Sequence, residues 1–174
     1  LKHHHNALQH PPKPQWVDCE TIQFLGQPKS LSITSHMIQR THISMDHHSI
    51  YARFPLDTSS EYREKKLYAF LRPLAYDIFL DRLRLYAHKM GLVFNQLRIK
   101  RLKTRWGSCS SLGNINLNIR LIHEPIELVD YVVVHELAHL VHMNHSPAFW
   151  ELVNHFYPKM NWARKQLRHI SLPR

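Results

Sequence analysis

Short alternations of apolar and polar residues come first along the chain, and helical spacing follows. Thr21-Ile22-Gln23-Phe24-Leu25 and Leu31-Ser32-Ile33-Thr34 flank Gly26-Gln27-Pro28. Side chains two apart share one face of a strand, so this pattern predicts a β-hairpin. Residues 38–45 and 49–54 alternate less regularly and predict two more strands. After Asp57 the period lengthens. Leu67, Phe70, Leu71, Leu74, Ile78, Leu85 and Met90 fall at helical intervals, and Gly91 is the expected stop. Thr58 with Glu61 reads as a capping box, and Pro73 is expected to kink or divide the helix.

Alternation returns at 95–109, where Leu97 and Ile99 interleave with Arg98 and Lys100. The parity slips at Arg101-Leu102, which predicts a bulge. Gly113 suits a turn, and Ile115, Leu117 and Ile119 then alternate with Asn114, Asn116, Asn118 and Arg120 as a half-buried strand. Pro125 fits the first turn of a helix reaching about His142. Ser146-Pro147 fits the cap and first residue of another, with Phe149, Trp150, Val153 and Phe156 on its apolar side. The expectation is one α+β domain over 16–174, with an N-terminal β region at 16–56 and the core at 57–174. Residues 1–15 read as a disordered lead-in. Its Lys2-His3-His4-His5 is either native or a tag remnant, and Pro11, Pro12 and Pro14 favour extended chain.

Composition alters this picture in two places. The 174 residues are 44% hydrophobic and 21% charged, which is ordinary for one globular domain. No apolar run approaches 18 residues, so no membrane association is expected. Cys19 and Cys109 make no disulfide framework, and a reducing cytoplasm is the expected compartment. The net charge of +10 favours anionic partners. Arg98, Lys100, Arg101, Lys103 and Arg105 place five cations within eight residues. Such a segment could hold a triphosphate in a cleft, give weak nucleic-acid association, or simply cover an exposed strand face.

The chemistry concentrates in His135-Glu136-Leu137-Ala138-His139-Leu140-Val141-His142-Met143-Asn144-His145. Two histidines four apart share a helix face and can grip one zinc ion, and the intervening glutamate can take a proton from metal-bound water. The chain has 16 histidines, so a chance His-x-x-x-His is easy to find. A chance His-Glu-x-x-His inside so apolar a flank is much harder, because burying these groups without a partner costs several kcal/mol. A catalytic zinc usually takes three protein ligands. His145, six residues past His139, is the favoured third, with Glu151 and His142 as alternatives. By the divalent affinity order, Ni²⁺ can replace Zn²⁺ in such a site. Tyr131, His142, Asn116 and Arg120 are candidates to stabilise a developing oxyanion, while Lys103 and Arg105 are candidate substrate contacts. Phe149 and Trp150 read as packing that fixes His145, Trp106 as core, and Cys109 as a small buried thiol.

Arg105-Trp106-Gly107-Ser108-Cys109-Ser110, Gly113-Asn114-Ile115-Asn116-Leu117-Asn118, the 130–140 segment and Asn144-His145-Ser146-Pro147-Ala148-Phe149-Trp150 together resemble the YgjP-like metallopeptidase domain. That group is similar to the SprT-like and wider zincin proteases. The resemblance implies a zincin-like α+β fold, with a small antiparallel sheet packed on the active-site helix. It implies zinc on His135, His139 and His145, with Glu136 catalytic. The implied activity is a metallopeptidase acting on polypeptide. The family name also covers a relative described as a UTP pyrophosphatase, so a nucleoside triphosphate pyrophosphatase is the alternative. A nucleic-acid-associated SprT-like protease is a third reading.

Overall fold

The computed structural model describes residues 13–170. Most of the expected lead-in, including the histidines at its start, lies outside the described residues. Residues 13–15 do not form a loose leader. Backbone N–H groups of Gln15 and Trp16 donate to the Glu20 carboxylate at 2.8 and 2.7 Å. Lys13 lies 3.9 Å from Glu64.

Two hairpins build the N-terminal region. The strands β1 (Glu20–Phe24) and β2 (Gln27–His36) pair antiparallel across Leu25-Gly26. Those two residues have φ of 49° and 75°, the doubly left-handed turn that matches strand twist. A second hairpin joins β3 (His42–Met45) to β4 (Ser49–Pro55). Its turn is held by Asp46, whose carboxylate accepts from the N–H groups of His48 and Ser49 at 2.8 and 2.7 Å. The hairpins meet through β2 and β4, which run parallel, giving the order β1-β2-β4-β3. Ile22, Leu31, Ile33, Ile50, Ala52 and Phe54 are buried.

Helix α1 (Ser60–Met90) is a single rod of 31 residues. Ser59 caps it by accepting from the Tyr62 N–H, one residue later than the Thr58 expected from sequence. Thr58 instead accepts from the Arg63 side chain at 3.2 Å. Pro73 does not divide the helix. Its missing N–H leaves the Ala69 carbonyl open, but both residues are exposed, so water can serve that carbonyl. The buried stripe of Leu67, Leu71, Ala75, Phe79, Leu83 and Tyr86 passes behind it unbroken. Leu85, expected on that stripe, is exposed; Leu83 and Tyr86 point inward instead. Gly91 in the left-handed region ends the helix as expected.

The second sheet contains β5 (Gln96–Lys100), β6 (Gly107–Cys109) and β7 (Asn114–Asn118), in the order β5-β7-β6. β5 is parallel and β6 antiparallel to β7. Both sheets are therefore mixed, which corrects the antiparallel sheet expected beside the active-site helix: in each, the intervening strand lies at an edge and leaves its neighbours parallel. No bulge forms at Arg101-Leu102. The chain leaves the sheet after Lys100, and Asn118 Nδ2 holds the loop by donating to the Leu102 and Arg105 carbonyls at 2.9 and 3.0 Å. Ile119 likewise leaves the strand pattern for a 3-10 turn, Ile119–His123.

Helix α2 (Ile126–Ala138) stops four residues short of the expected His142. Leu140 and Val141 donate to the carbonyls of Leu137 and Ala138, three residues back, which tightens and ends the helix. α3 (Pro147–Phe156) begins as expected, with Ser146 accepting from the Phe149 N–H. α4 (Met160–His169) was not anticipated from the sequence.

The hydrophobic helix α2 is central. Leu128, Val129, Val133, Val134, Leu137 and Ala138 are fully buried. Arg82 of α1 meets Asp130 of α2 through two bonds of 2.6 Å each, and the Tyr86 hydroxyl adds a third at 3.2 Å. The N-terminal sheet docks at the start of α2. Leu25 N–H donates to the Ile122 carbonyl at 2.7 Å, and a Cβ on Gly26 would lie 3.1 Å from Pro125. His123 is a further fastening. Its Nδ1–H donates to the Gln23 carbonyl at 2.8 Å, so Nε2 accepts from the Tyr68 hydroxyl at 3.2 Å.

Burial is the main cause that holds the His123 imidazole down at about 4. An unfolded chain takes up this proton near pH 6.5 and the folded one only near 4, so stability falls as pH drops through that window. The loss is about 1.4 kcal/mol per pH unit. Urea unfolding of the protein and of His123→Gln at pH 7 and pH 5 measures it. The stability gap between them shifts against the unsubstituted chain at pH 5; an unchanged gap contradicts the assignment.

Candidate metal centre

The last turn of α2 and the chain that follows it bring three imidazoles together. His135 lies within α2, His139 is its C-cap, and His145 immediately precedes the α3 cap. Each ring offers one ligand nitrogen, and these three atoms lie within 4.8 Å of one another. The Nε2 atoms of His135 and His145 stand 3.1 Å apart.

Ring orientation has separate causes. His139 Nδ1–H donates to the His142 carbonyl at 3.0 Å, which leaves Nε2 as its lone-pair nitrogen. That contact exists because α2 ends early and turns its chain back. His135 Nδ1 is buried without a hydrogen-bond partner among the described residues, so packing sets this ring. Buried Phe149 supports all three imidazoles, with centroids 4.9, 4.6 and 4.8 Å from His135, His139 and His145. Trp150 stacks on His145 at 5.4 Å and 19°. The expected packing role of these two aromatics thus has a geometry.

Burial first, then the neighbouring imidazoles, pushes His135 down to about 3. Burial is also the first cause that lowers His139. His135 and His139 are thereby held neutral, the form in which imidazole donates to a metal. Three imidazole nitrogens within 4.8 Å of one another fit a divalent transition ion and leave a position for water. Among the described residues, this is the sole cluster of three or more histidine, cysteine or acidic groups with such spacing. Glu151 is exposed and stands outside it.

Glu136 is buried beside the triad, 5% exposed. Burial raises its carboxyl to about 8, and Arg105 pulls in the opposite direction. A Cβ placed on Gly107 would come within 2.7 Å of Glu136 Oε1 and 2.8 Å of its Cγ. Strand β6 therefore approaches the carboxylate more closely than any other residue type at 107 permits. The same burial and the Glu136 charge push the Cys109 thiol up to about 11.

These groups line a cleft of about 710 Å³. Residues 105–109 form one wall, and Arg164, Leu167 and Arg168 of α4 contribute another. Of the expected substrate contacts, Tyr131 and Arg105 line it. Tyr131 is buried, and desolvation pushes its hydroxyl up to about 12. His142 contributes its carbonyl to His139 rather than its side chain to the cleft. Asn116 lies behind the wall and donates to Ser108 Oγ at 2.9 Å. Arg120 is buried outside the lining, and Lys103 is exposed outside it. The five-cation segment does not act as a unit. Arg98 and Lys100 line a separate groove beside α1, and Arg101 pairs with Glu64 at 2.9 Å. Trp106, expected in the core, is half-buried and lines the cleft.

Sequence reasoning missed Gly107, Arg164 and Arg168. The arginines sit four apart in a strongly amphipathic segment, and that spacing was the available signal.

A family model described as "YgjP-like, metallopeptidase domain" matches residues 1–170. No curated protein matches the chain. Among solved structures it is similar to the metallopeptidase zymogen abylysin of Pyrococcus abyssi, at 28% identity and TM-score 0.45, covering 51% of this chain and 87% of that one. It is also similar to the zymogen jannalysin of Methanocaldococcus jannaschii, at 21% identity and TM-score 0.44, covering 52% and 90%. The family match spans nearly the whole sequence, and the chain belongs to the YgjP-like metallopeptidase-domain family.

Proposed function

We propose that this chain is a zincin-type, zinc-dependent peptidase with His135, His139 and His145 as ligands and Glu136 as general base. The observation that carries the reading is the convergence of three imidazoles beside a buried carboxylate in one cleft. Zinc bound there supplies a Lewis acid and a water acidified to about pKa 7. Glu136 would act as the base, taking a proton from water and returning it to the leaving nitrogen. A metal ion held by the triad would counter the burial that raises the Glu136 carboxyl and favour its ionised form.

The bordering strand supports a polypeptide substrate. β7 is central and has no free edge, whereas β6 is an edge strand lining the cleft. An extended peptide can add to that edge through main-chain hydrogen bonds. Tyr131 retains its phenolic proton at neutral pH and is the lining residue best suited to donate to an oxyanion. Of the basic segment on which the pyrophosphatase alternative rested, only Arg105 reaches the cleft. Arg98 and Lys100 can serve a weak nucleic-acid contact only away from it.

The test incubates zinc-loaded protein with an unfolded polypeptide and, separately, with nucleoside triphosphates. Cleavage of the polypeptide, lost on chelation and restored by zinc, is the expected result. Pyrophosphate release beside intact polypeptide overturns it.

A further inference from the structure

We propose that Arg164 and Arg168, with Arg105 opposite, make this cleft selective for polypeptides bearing an acidic side chain next to the scissile bond. The inference rests on the peptidase reading and specifies its substrate.

The cleft carries three permanent cations, while its lone lining carboxylate is buried Glu136. None of the three arginines is ion-paired among the described residues. Arg164 is half-buried and held with its guanidinium carbon 4.1 Å from the Trp150 ring centroid. That same indole stacks on His145, so the Arg164 charge is fixed one ring away from the triad. Arg168 lies one turn further along α4, and buried Leu167 lines the wall beside it. Fixed positive charges around a cation site repel each other and the ion. An anionic substrate group offsets that repulsion, and the planar guanidinium fork pairs with carboxylates through two hydrogen bonds. Phosphate offers the same pairing. The open β6 edge favours a carboxylate carried on an extended peptide, with Leu167 and Trp150 as surface for its apolar neighbours.

The experiment compares peptides that share one scissile bond and carry Glu, Gln or Lys on either side of it. Cleavage is followed on the zinc-loaded enzyme, and binding to zinc-loaded Glu136→Gln is followed by fluorescence anisotropy. The Glu peptide is expected to bind about tenfold more tightly than its Gln twin. Arg164→Gln and Arg168→Gln erase most of that margin. Arg168 is exposed, so Arg168→Glu keeps the fold and turns the preference toward Lys. Equal binding of Glu and Gln peptides overturns the proposal while leaving any observed cleavage intact. Acid-selective binding without cleavage keeps the arginine assignment and removes the peptidase reading. Inorganic tripolyphosphate bound more tightly than the acidic peptide, with the same arginine dependence, overturns the carboxylate assignment.

Discussion

Glu136→Gln leaves the metal content of the protein unchanged and lowers turnover by about 100- to 10,000-fold, the usual contribution of a general base. The substitution is nearly isosteric, which matters at a 5% exposed position packed against Gly107. Glutamine fills the same space and accepts a hydrogen bond, but it cannot take a proton. The three imidazoles are untouched, so zinc stoichiometry measured by atomic absorption separates lost chemistry from lost metal. His145→Ala supplies the contrasting control, in which metal and turnover fall together. Undiminished turnover in Glu136→Gln refutes the proposed base.

Gly107→Ala is expected to cost about 100-fold in kcat with zinc retained, the scale of an ångström-sized misplacement at a reacting centre. The new methyl would lie 2.7 Å from Oε1, 2.8 Å from Cγ and 2.9 Å from Cδ of Glu136, where side-chain carbons essentially never sit. Rotation of the carboxylate alone does not relieve the Cγ contact, so either β6 or the Glu136 side chain must move. Overpacking of this kind costs about 1–3 kcal/mol of stability. The circular dichroism spectrum should be retained, with a lowered Tm. Rate measurements at saturating substrate read the effect on the base directly. A variant with normal kcat shows that Glu136 does not act from the position it holds against β6.

Local signals made much of the fold legible. The Leu25-Gly26 turn, Gly91 and the Ser146-Pro147 cap announce themselves through the backbone conformations they need. Pairing partners were not legible in that way. Alternation in β2 and β4 says which face is buried, not that the two strands run parallel with β3 outside them. Pro73 misled because its penalty depends on whether the orphaned carbonyl meets water, a property of the packed structure. The convergence of the three histidines beside Glu136 was readable because it depends on spacing within one helix and turn. Gly107 and the α4 arginines were not, because their meaning depends on what lies across the cleft.

That division has a consequence for how the protein comes apart. The three clustered imidazoles and Glu136 fall within eleven consecutive residues, 135–145, while the walls that shape the cleft arrive from β6 and from α4. Contacts within a short stretch survive sub-global openings that separate distant segments. Loosening is therefore expected to part the walls of the cleft before it disperses the imidazole cluster. On the proposed function, mild denaturation is expected to give a form that still chelates zinc but no longer selects or hydrolyses, which metal content and activity measured along a urea series would show.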